Sequence, residues 1–204
     1  MSYSPYQPND TQKISDGVYK TSIDGLFYLT FPMFGDNRGI FSSFHKIPKL
    51  NPILGTSFEV KQLNYAYSKP NVIRGMHAEA WNKLITVLSG KALCVLADIR
   101  PESPTFLKKE YFEFEFDPTA SQSAGLYITQ GIANSICVLE GPVGYLYAVD
   151  KLYEDRDVKG DQAISVFDPD LDIQWPIPKD LAVISERDTQ AITVRELFPD
   201  KFEA

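Results

Sequence analysis

Histidine is scarce in this chain of 204 residues, which contains only His45 and His77. A first-row metal site in a small β-rich domain usually combines two or three histidines with a carboxylate. The two histidines lie 32 positions apart, and no Cys-x-x-Cys, His-Glu-x-x-His or His-x-His spacing occurs. We therefore predict no metal site, and a metal-dependent dioxygenase ranks behind the functions considered below.

Basic clusters and long apolar runs are also missing. Lysine and arginine number 20 against 27 aspartates and glutamates, which gives a net charge of −7. No run of basic residues could face a phosphate backbone, so nucleic acid is not expected as a partner. Apolar stretches such as residues 93–97 are far shorter than the roughly 20 residues that cross a bilayer. With no basic and apolar leader pattern at its start, the sequence predicts a soluble, cytoplasmic protein without a membrane partner.

Several common functional motifs are absent as well. The only cysteines, Cys94 and Cys137, lie in apolar strand-like runs, where a free thiol behaves as a small hydrophobe. A disulfide framework is therefore not indicated. The nucleophile elbow Gly-x-Ser-x-Gly and the phosphate loop ending in Gly-Lys-Ser/Thr do not occur. Hydrolase and nucleotide-hydrolysing functions are set aside for this reason.

What the chain does contain favours one large domain spanning residues 1–204. Apolar residues make up 44% and charged residues 23%, which is ordinary globular usage. The 12 glycines and 14 prolines punctuate short apolar runs, and helical periodicity is hard to find. Residues 1–14 contain two prolines and scattered polar groups, which predicts a flexible N-terminus. The chain is predicted to be all-β.

Short strands follow one another through the middle of the chain. In residues 111–116, three phenylalanines alternate with two glutamates, which predicts a strand with one apolar and one charged face. Residues 84–88 and 92–97 are predicted to form a hairpin around Ser89-Gly90-Lys91.

The remaining predicted elements continue this series. Three further strands are expected at 126–129, 135–139 and 145–149, with a break at 140–142. Such spacing favours a sandwich or a barrel. Short C-terminal helices are expected around residues 178–184 and 194–198.

The first chemical pattern is Arg74-Gly75-Met76-His77, followed six residues later by Lys83. Arginine, histidine and lysine in close sequence favour an anionic ligand and proton transfer. A surface turn with solvated charges is the alternative interpretation of the same residues.

A set of ordered motifs extends this pattern. They are, along the chain, Asp36-Asn37-Arg38-Gly39, Gln62-Leu63-Asn64, Arg74-Gly75-Met76-His77, Lys83-Leu84, Asp98-Ile99-Arg100, Tyr145-Leu146-Tyr147, Ile173-Gln174-Trp175-Pro176 and Ser185-Glu186-Arg187-Asp188. Over residues 34–188 they resemble the motifs of the dTDP-4-dehydrorhamnose 3,5-epimerase family. The resemblance implies a cupin-type jelly-roll β-barrel, a homodimer, a nucleotide-diphosphate sugar as substrate, and no metal or redox cofactor.

The resemblance also implies roles for four catalytic side chains. A C–H next to the C4 ketone of a 4-keto-6-deoxy sugar is acidic because its carbanion becomes an enolate. His77 matches the base, and Asp188 matches the partner that fixes the imidazole tautomer. Lys83 matches the cation facing the C4 oxygen, and Tyr147 matches the acid that returns a proton on the opposite face. The structural alternatives are a turn aspartate, a solvated lysine and a barrel-filling tyrosine.

Substrate contacts follow from the same resemblance. The matching residues are Arg38, Arg74, Gln62 and Asn64. Asn134 and Tyr153 complete the predicted substrate-binding set. The two arginines suit a diphosphate because the guanidinium is a planar bidentate donor. Asn134 stands where the family has an active-site histidine, and an amide cannot shuttle a proton. We therefore expect one dominant epimerisation, at a single carbon rather than at both C3 and C5.

The sequence thus predicts a nucleotide-sugar epimerase that serves polysaccharide or deoxysugar biosynthesis. A 3,4-ketoisomerase of the same barrel type and a non-catalytic sugar-nucleotide binding protein remain as alternatives. The apolar and aromatic segment 26–34 is predicted to add a strand to a neighbouring barrel in the homodimer.

Overall fold

The computed structural model describes residues 3–157 and 160–202. Strands make up 44% of the residues and are accompanied by a few short helices, so the predicted fold class is confirmed. The longest helix has eight residues, and none of those in the described ranges has the length and apolar character to cross a bilayer.

The elements of the described ranges have the following bounds. The strands are β1 (Lys13–Ser15), β2 (Val18–Lys20), β3 (Leu26–Asp36), β4 (Gly39–Ser42), β5 (Gln62–Ser68), β6 (Ile73–Ala78), β7 (Lys83–Asp98), β8 (Lys109–Glu115), β9 (Gln122–Ile128), β10 (Ile132–Val149) and β11 (Gln162–Ala163). The helices are α1 (Ile47–Leu54), α2 (Glu186–Thr189) and α3 (Val194–Leu197).

The strands form one sheet with the order β1-β2-β3-β9-β7-β10-β6-β11, and β4, β5 and β8 pair with β3, β10 and β7 respectively. Its pairs are antiparallel, and the ladder does not close on itself within the described residues. The long strands β7 and β10 pair from Lys83↔Val149 to Asp98↔Ile132 and form the centre of the sheet.

Alternate residues of β7 enter two different cores. Cys94 and Leu96 belong to the apolar cluster on one face of the sheet. Leu93 and Val95 belong to a second cluster on the other face, which residues 164–194 cover. A strand buried on both faces reads as a continuous apolar run, which is why residues 93–97 show no alternation.

The predicted hairpin around Ser89-Gly90-Lys91 is wrong. Both halves belong to the single strand β7, and the register with β10 shifts where the turn was expected. Gly90 has a φ of +72°, and a Cβ there would lie 2.5 Å from the Pro142 carbonyl oxygen. The predicted break at 140–142 is likewise an irregularity within β10. Both glycine-containing segments are therefore bulges that bend a long pair of strands.

Other local predictions had mixed outcomes. The strand predicted at 111–116 is found as β8, and its Phe112 and Phe114 are buried. The helix predicted at 194–198 is found as α3, which begins with a capping box between Thr193 and Glu196. No helix forms at 178–184, where the chain makes a turn.

The N-terminal expectations also need correction. Residues 3–14, expected to be flexible, pack on the barrel: Tyr6 is buried and its hydroxyl donates to the Lys20 carbonyl oxygen at 2.7 Å. Tyr3 stacks on Tyr111 with 5.3 Å between the ring centroids. Residues 1 and 2 lie outside the described residues. Segment 26–34 lies in β3, which pairs with β2, β4 and β9 of its own chain, so its edges are already occupied.

His45 makes a testable contribution to stability. Its Nε2 lies 2.9 Å from the Thr86 hydroxyl oxygen, and burial lowers the pKa of the ring from 6.5 to about 4. The unfolded chain therefore binds a proton between these pH values that the folded chain does not. We expect the free energy of unfolding to fall as pH drops from about 6.5 to about 4, by at most about 1.4 kcal/mol per pH unit.

The measurement is urea unfolding of the protein and of His45→Gln across this pH range. The variant should lose less stability with acidification than the unmodified protein. Parallel pH profiles for the two proteins would contradict the assignment.

Candidate active site

A bulge in β6 brings Arg74 and His77 to the same cavity. Side chains three positions apart in a regular strand point to opposite faces. Here Asn134 pairs with His77 and Ile136 pairs with Arg74, so β6 has one residue more than β10 between the two pairs. Gly75 allows this bulge because it has a φ of +110°, and a Cβ there would lie 2.5 Å from the Asn134 carbonyl oxygen. Both side chains therefore line one cavity.

His77 forms a dyad with Asp188. The His77 Nε2 lies 2.7 Å from Asp188 Oδ1, and Asp188 is buried in α2, where the Ser185 hydroxyl caps its backbone N–H. Burial pushes the pKa of Asp188 upward, but the hydrogen bond and charge of His77 outweigh it and hold the pKa below its usual range. An ionised Asp188 accepts the Nε2–H, which leaves Nδ1 of neutral His77 free to take a proton.

Lys83 lies at the other side of the cavity in a compact polar cluster. Its Nζ is 2.6 Å from Glu79 Oε2 and 3.4 Å from Asn134 Oδ1. The Asn134 side-chain amide in turn donates to the His77 carbonyl oxygen at 2.7 Å and to Glu79 Oε2 at 3.3 Å. The cluster holds a buried cation next to the dyad, in a place where negative charge on a bound ligand would be stabilised.

Two tyrosines of β10 form the third wall. Tyr145 and Tyr147 point to the same side because they are two residues apart, and their rings stack at 5.8 Å. Burial raises the pKa of Tyr147, and the charge of Glu79 raises it further. Tyr147 therefore keeps its proton near neutral pH.

Arg74 lies where two adjoining cavities meet. The inner cavity contains Lys83 and Glu79, the outer one contains Asp188 and Arg187, and both are lined by His77 and Arg74. The Arg74 guanidinium donates to the Ser68 hydroxyl at 2.8 Å, and it forms no ion pair with a carboxylate of the described residues. Its charge is therefore available to an anion in the outer cavity.

A family model for dTDP-4-dehydrorhamnose 3,5-epimerase matches residues 20–196. The chain belongs to this family. This match confirms the family resemblance found in the sequence. The protein is accordingly an epimerase, which is a kind of isomerase.

Individual relatives agree with this assignment. The dTDP-4-dehydrorhamnose 3,5-epimerase of Streptomyces griseus is 32% identical over 180 residues, which cover 86% of each chain. RmlC of Legionella pneumophila, solved with dTDP-4-keto-L-rhamnose, has a TM-score of 0.79 at 26% identity and covers 90% of this chain and 95% of its own. ChmJ of Streptomyces bikiniensis, a 3'-monoepimerase solved with dTDP-quinovose, has a TM-score of 0.77 at 26% identity, with 88% and 89% covered.

The structure brings together most of the epimerase residues predicted from the sequence. Six of them line the two cavities or bond to a residue that does: His77, Asp188, Lys83, Tyr147, Arg74 and Asn134. Their catalytic and binding roles remain predictions, but their proximity excludes the alternative of a surface turn with solvated charges.

Four predicted substrate contacts are placed differently. Gln62 and Asn64 lie on β5 and bond to each other at 2.6 Å, and Asn64 pairs with Tyr147 in register. The Gln62 side chain also accepts from the Tyr153 backbone N–H at 2.9 Å. Arg38 is exposed in the β3–β4 hairpin, where it pairs with Asp36. None of these four side chains lines the two cavities.

Sequence reasoning assigned no role to Glu79, Tyr145 or Arg187, which the structure places at the epimerase cavities. Tyr145 and Arg187 lie within quoted motifs, and two-residue spacing in a strand would have paired Tyr145 with Tyr147. Glu79 and Lys83 are four positions apart, but the pairing is not helical because the chain turns between β6 and β7. Only the tertiary structure reveals that pair.

The buried pair of Lys83 and Glu79 leads to a stability prediction. Their side chains are only 6% and 13% exposed, whereas those of the Lys201–Glu102 pair are 37% and 87% exposed. Lys83→Met leaves the Glu79 carboxylate without its ammonium partner, which should cost about 3–5 kcal/mol of unfolding free energy. Lys201→Met, the matched control, should cost at most about 1 kcal/mol in the same urea titration. Equal losses for the two variants would show that the inner pair is solvated.

Proposed function

We propose that this epimerase acts on a nucleotide-linked 4-keto-6-deoxy sugar, inverting C3, C5 or both by deprotonation and reprotonation. The observation that carries the proposal is the arrangement around one cavity of the His77–Asp188 dyad, the Lys83 ammonium and the Tyr147 hydroxyl. A base, an oxyanion-stabilising cation and an acid are the three groups that inversion next to a ketone requires.

The reaction begins when His77 Nδ1 removes the proton from a carbon next to the C4 ketone. The electron pair of the broken C–H bond forms a carbon–carbon double bond, and the carbonyl electrons move to the C4 oxygen. Lys83 stabilises the resulting enolate oxygen by charge and hydrogen bonding. Asp188 stabilises the imidazolium that forms, as the partner carboxylate does in other histidine dyads.

Inversion is completed when Tyr147 donates its proton to the same carbon from the opposite face. The enolate electrons return to the carbon, and the ketone is restored. The His77 imidazolium then loses its proton and the Tyr147 phenolate regains one through solvent. Each turnover therefore replaces a carbon-bound hydrogen with one that derives from the protein or the solvent.

The outer cavity suits the nucleotide diphosphate. Arg74 lies at the junction of the cavities, and Arg187 lines the outer one, with its guanidinium 3.2 Å from Asp161. Two guanidinium groups beside the outer cavity favour a diphosphate, which accepts bidentate hydrogen bonds. We further propose that the enzyme serves deoxysugar biosynthesis in the cytoplasm, with polysaccharide as the expected destination of the product.

The first test replaces the base. His77→Asn should abolish exchange of the substrate's C3 and C5 protons with D₂O while sugar-nucleotide binding is largely retained, because general-base catalysis supplies about 10²–10⁴-fold. Asp188→Asn should lower the exchange rate less, since it orients and stabilises the ring. The exchange and its position are read by proton NMR with dTDP-4-keto-6-deoxyglucose.

Four results would count against the assignment. Full exchange in His77→Asn would show that His77 is not the base. An unchanged rate in Asp188→Asn would show that Asp188 has only a structural role. A product with its carbonyl moved to C3 would identify a 3,4-ketoisomerase instead. Binding without exchange in the unmodified protein would indicate a sugar-nucleotide binding protein.

The proposed assembly is a homodimer. Strand β5 pairs only with β10 among the described strands, and its outward side chains Leu63, Tyr65 and Tyr67 are all more than half exposed. An apolar stripe beside an open strand edge is covered in many proteins by a second chain. A second copy of this chain is the proposed occupant.

Sedimentation at micromolar concentration tests the dimer. We expect a species of twice the monomer mass, and Leu63→Lys combined with Tyr65→Lys should dissociate it. Leu181→Lys, at a similarly exposed leucine outside β5, is the control and should leave the dimer intact. A monomeric unmodified protein would refute the proposal.

A further inference from the structure

Glu79 is a buried carboxylate in the inner cavity that the proposed reaction does not use. Its Oε2 accepts from Lys83 Nζ at 2.6 Å and from the Asn134 side-chain amide at 3.3 Å. Its second oxygen, Oε1, forms no hydrogen bond to another of the described residues. The side chain nevertheless lines the cavity together with His77 and Tyr147. Oε2 is thus hydrogen-bonded within the protein, and Oε1 is available to a ligand.

The local structure holds Glu79 in this place. It follows the last residue of β6, and its carbonyl oxygen accepts from the Gly131 backbone N–H at 3.0 Å. Lys83 begins β7, so the two charged side chains meet across the connection between two strands. Asn134 bonds to both of them from β10. Contacts with residues at the ends of β6 and β7 and on β10 therefore hold the carboxylate in place.

The pair offers a ligand a specific combination of groups. Lys83 is a hydrogen-bond donor and Glu79 is an acceptor, and the two lie side by side at the wall of the cavity. An α-hydroxy ketone is their complement, since its carbonyl oxygen accepts and the hydroxyl on the next carbon donates. A ketone without that neighbouring hydroxyl would leave the carboxylate oxygen desolvated and unpaired, which is unfavourable.

We propose that Glu79 is a specificity-determining residue, which accepts a hydrogen bond from the hydroxyl next to the ketone while Lys83 donates to the ketone oxygen. The assignment rests on the proposed function. In a 4-keto-6-deoxyhexose, C3 carries a hydroxyl, whereas C5 carries the ring oxygen and a methyl group. Glu79 therefore distinguishes the two sides of the ketone and favours a pose that is anchored through the C3 hydroxyl.

A purely structural role for Glu79 has a different consequence. If the carboxylate only neutralised Lys83, its loss would weaken all ligands alike. If it recognises the hydroxyl, its loss weakens only ligands that carry that hydroxyl. The ratio of two affinities separates these cases, because a general change in the cavity cancels in the ratio.

The experiment measures binding of two ligands by calorimetry. They are dTDP-4-keto-6-deoxyglucose and the corresponding 3-deoxy compound, and both are tested in the His77→Asn background to suppress turnover. We expect the 3-hydroxy ligand to bind about 10–100-fold more tightly, as is typical of a hydrogen bond to a charged group. Glu79→Gln should reduce this preference to a few-fold by weakening the 3-hydroxy ligand alone. Glu102→Gln, which alters a surface ion pair, should leave the preference unchanged.

A second variant covers the case in which Glu79→Gln does not fold. Glu79→Ala combined with Lys83→Met removes both charges and leaves no unpaired ion, and it should also lose the preference. A preference that persists in either folded variant overturns the assignment of Glu79. Failure of the unmodified protein to exchange C3 or C5 protons, with the preference intact, contradicts the proposed function but not the recognition of the hydroxyl. If neither ligand binds, both the proposed function and the assignment of Glu79 are overturned.

Discussion

The antiparallel ladder between β7 and β10 is the interaction on which the rest of the structure depends. It runs from Lys83↔Val149 to Asp98↔Ile132. Every other strand of the sheet pairs with β7 or β10, or with a strand that is connected to them through further pairs. The bulges near Gly90 and Pro142 bend the pair without ending it. The same ladder places Lys83 at the start of one strand and Tyr147 near the end of the other, so both cavity residues stand on paired strands.

The cavity balances buried charges in two pairs. His77 faces Asp188, and Lys83 faces Glu79, so neither the base nor the cation is left uncompensated before a ligand enters. Unpaired ions in such a place would be costly, whereas paired ones retain strong local fields. In the proposed reaction the dyad receives a proton, and the Lys83 cluster stabilises negative charge. Separation of these two tasks across one cavity is what an enolate mechanism requires.

Asn134 illustrates how this chain differs from the family pattern that its sequence resembles. Its side chain bonds to the His77 carbonyl oxygen, to Glu79 and to Lys83. All its contacts therefore serve to hold other residues of the cavity in place. An amide in this position provides both a donor and an acceptor without titrating. The residue is better suited to fixing the Lys83–Glu79 pair than to moving a proton, and a single dominant epimerisation stays a prediction.

The chemistry of the candidate site could largely be predicted from the sequence. The order of the motifs indicated the family, and from it the four groups His77, Asp188, Lys83 and Tyr147, which the structure places around two adjoining cavities. Alternation of apolar and charged residues also identified β8 correctly. Both signals are local or follow chain order, which is why they were visible without coordinates.

The sequence by itself determined the all-β class, the scarcity of histidine and the identity of the residues available for proton transfer. Only the tertiary structure decided that Ser89-Gly90-Lys91 is a bulge rather than a turn, since a glycine with positive φ suits both and the partner strand selects between them. It alone decided that Glu79 pairs with Lys83 and that Arg38 does not reach the cavity within its own chain. These outcomes depend on contacts between residues distant in sequence or across chain turns, and no local pattern encodes such contacts.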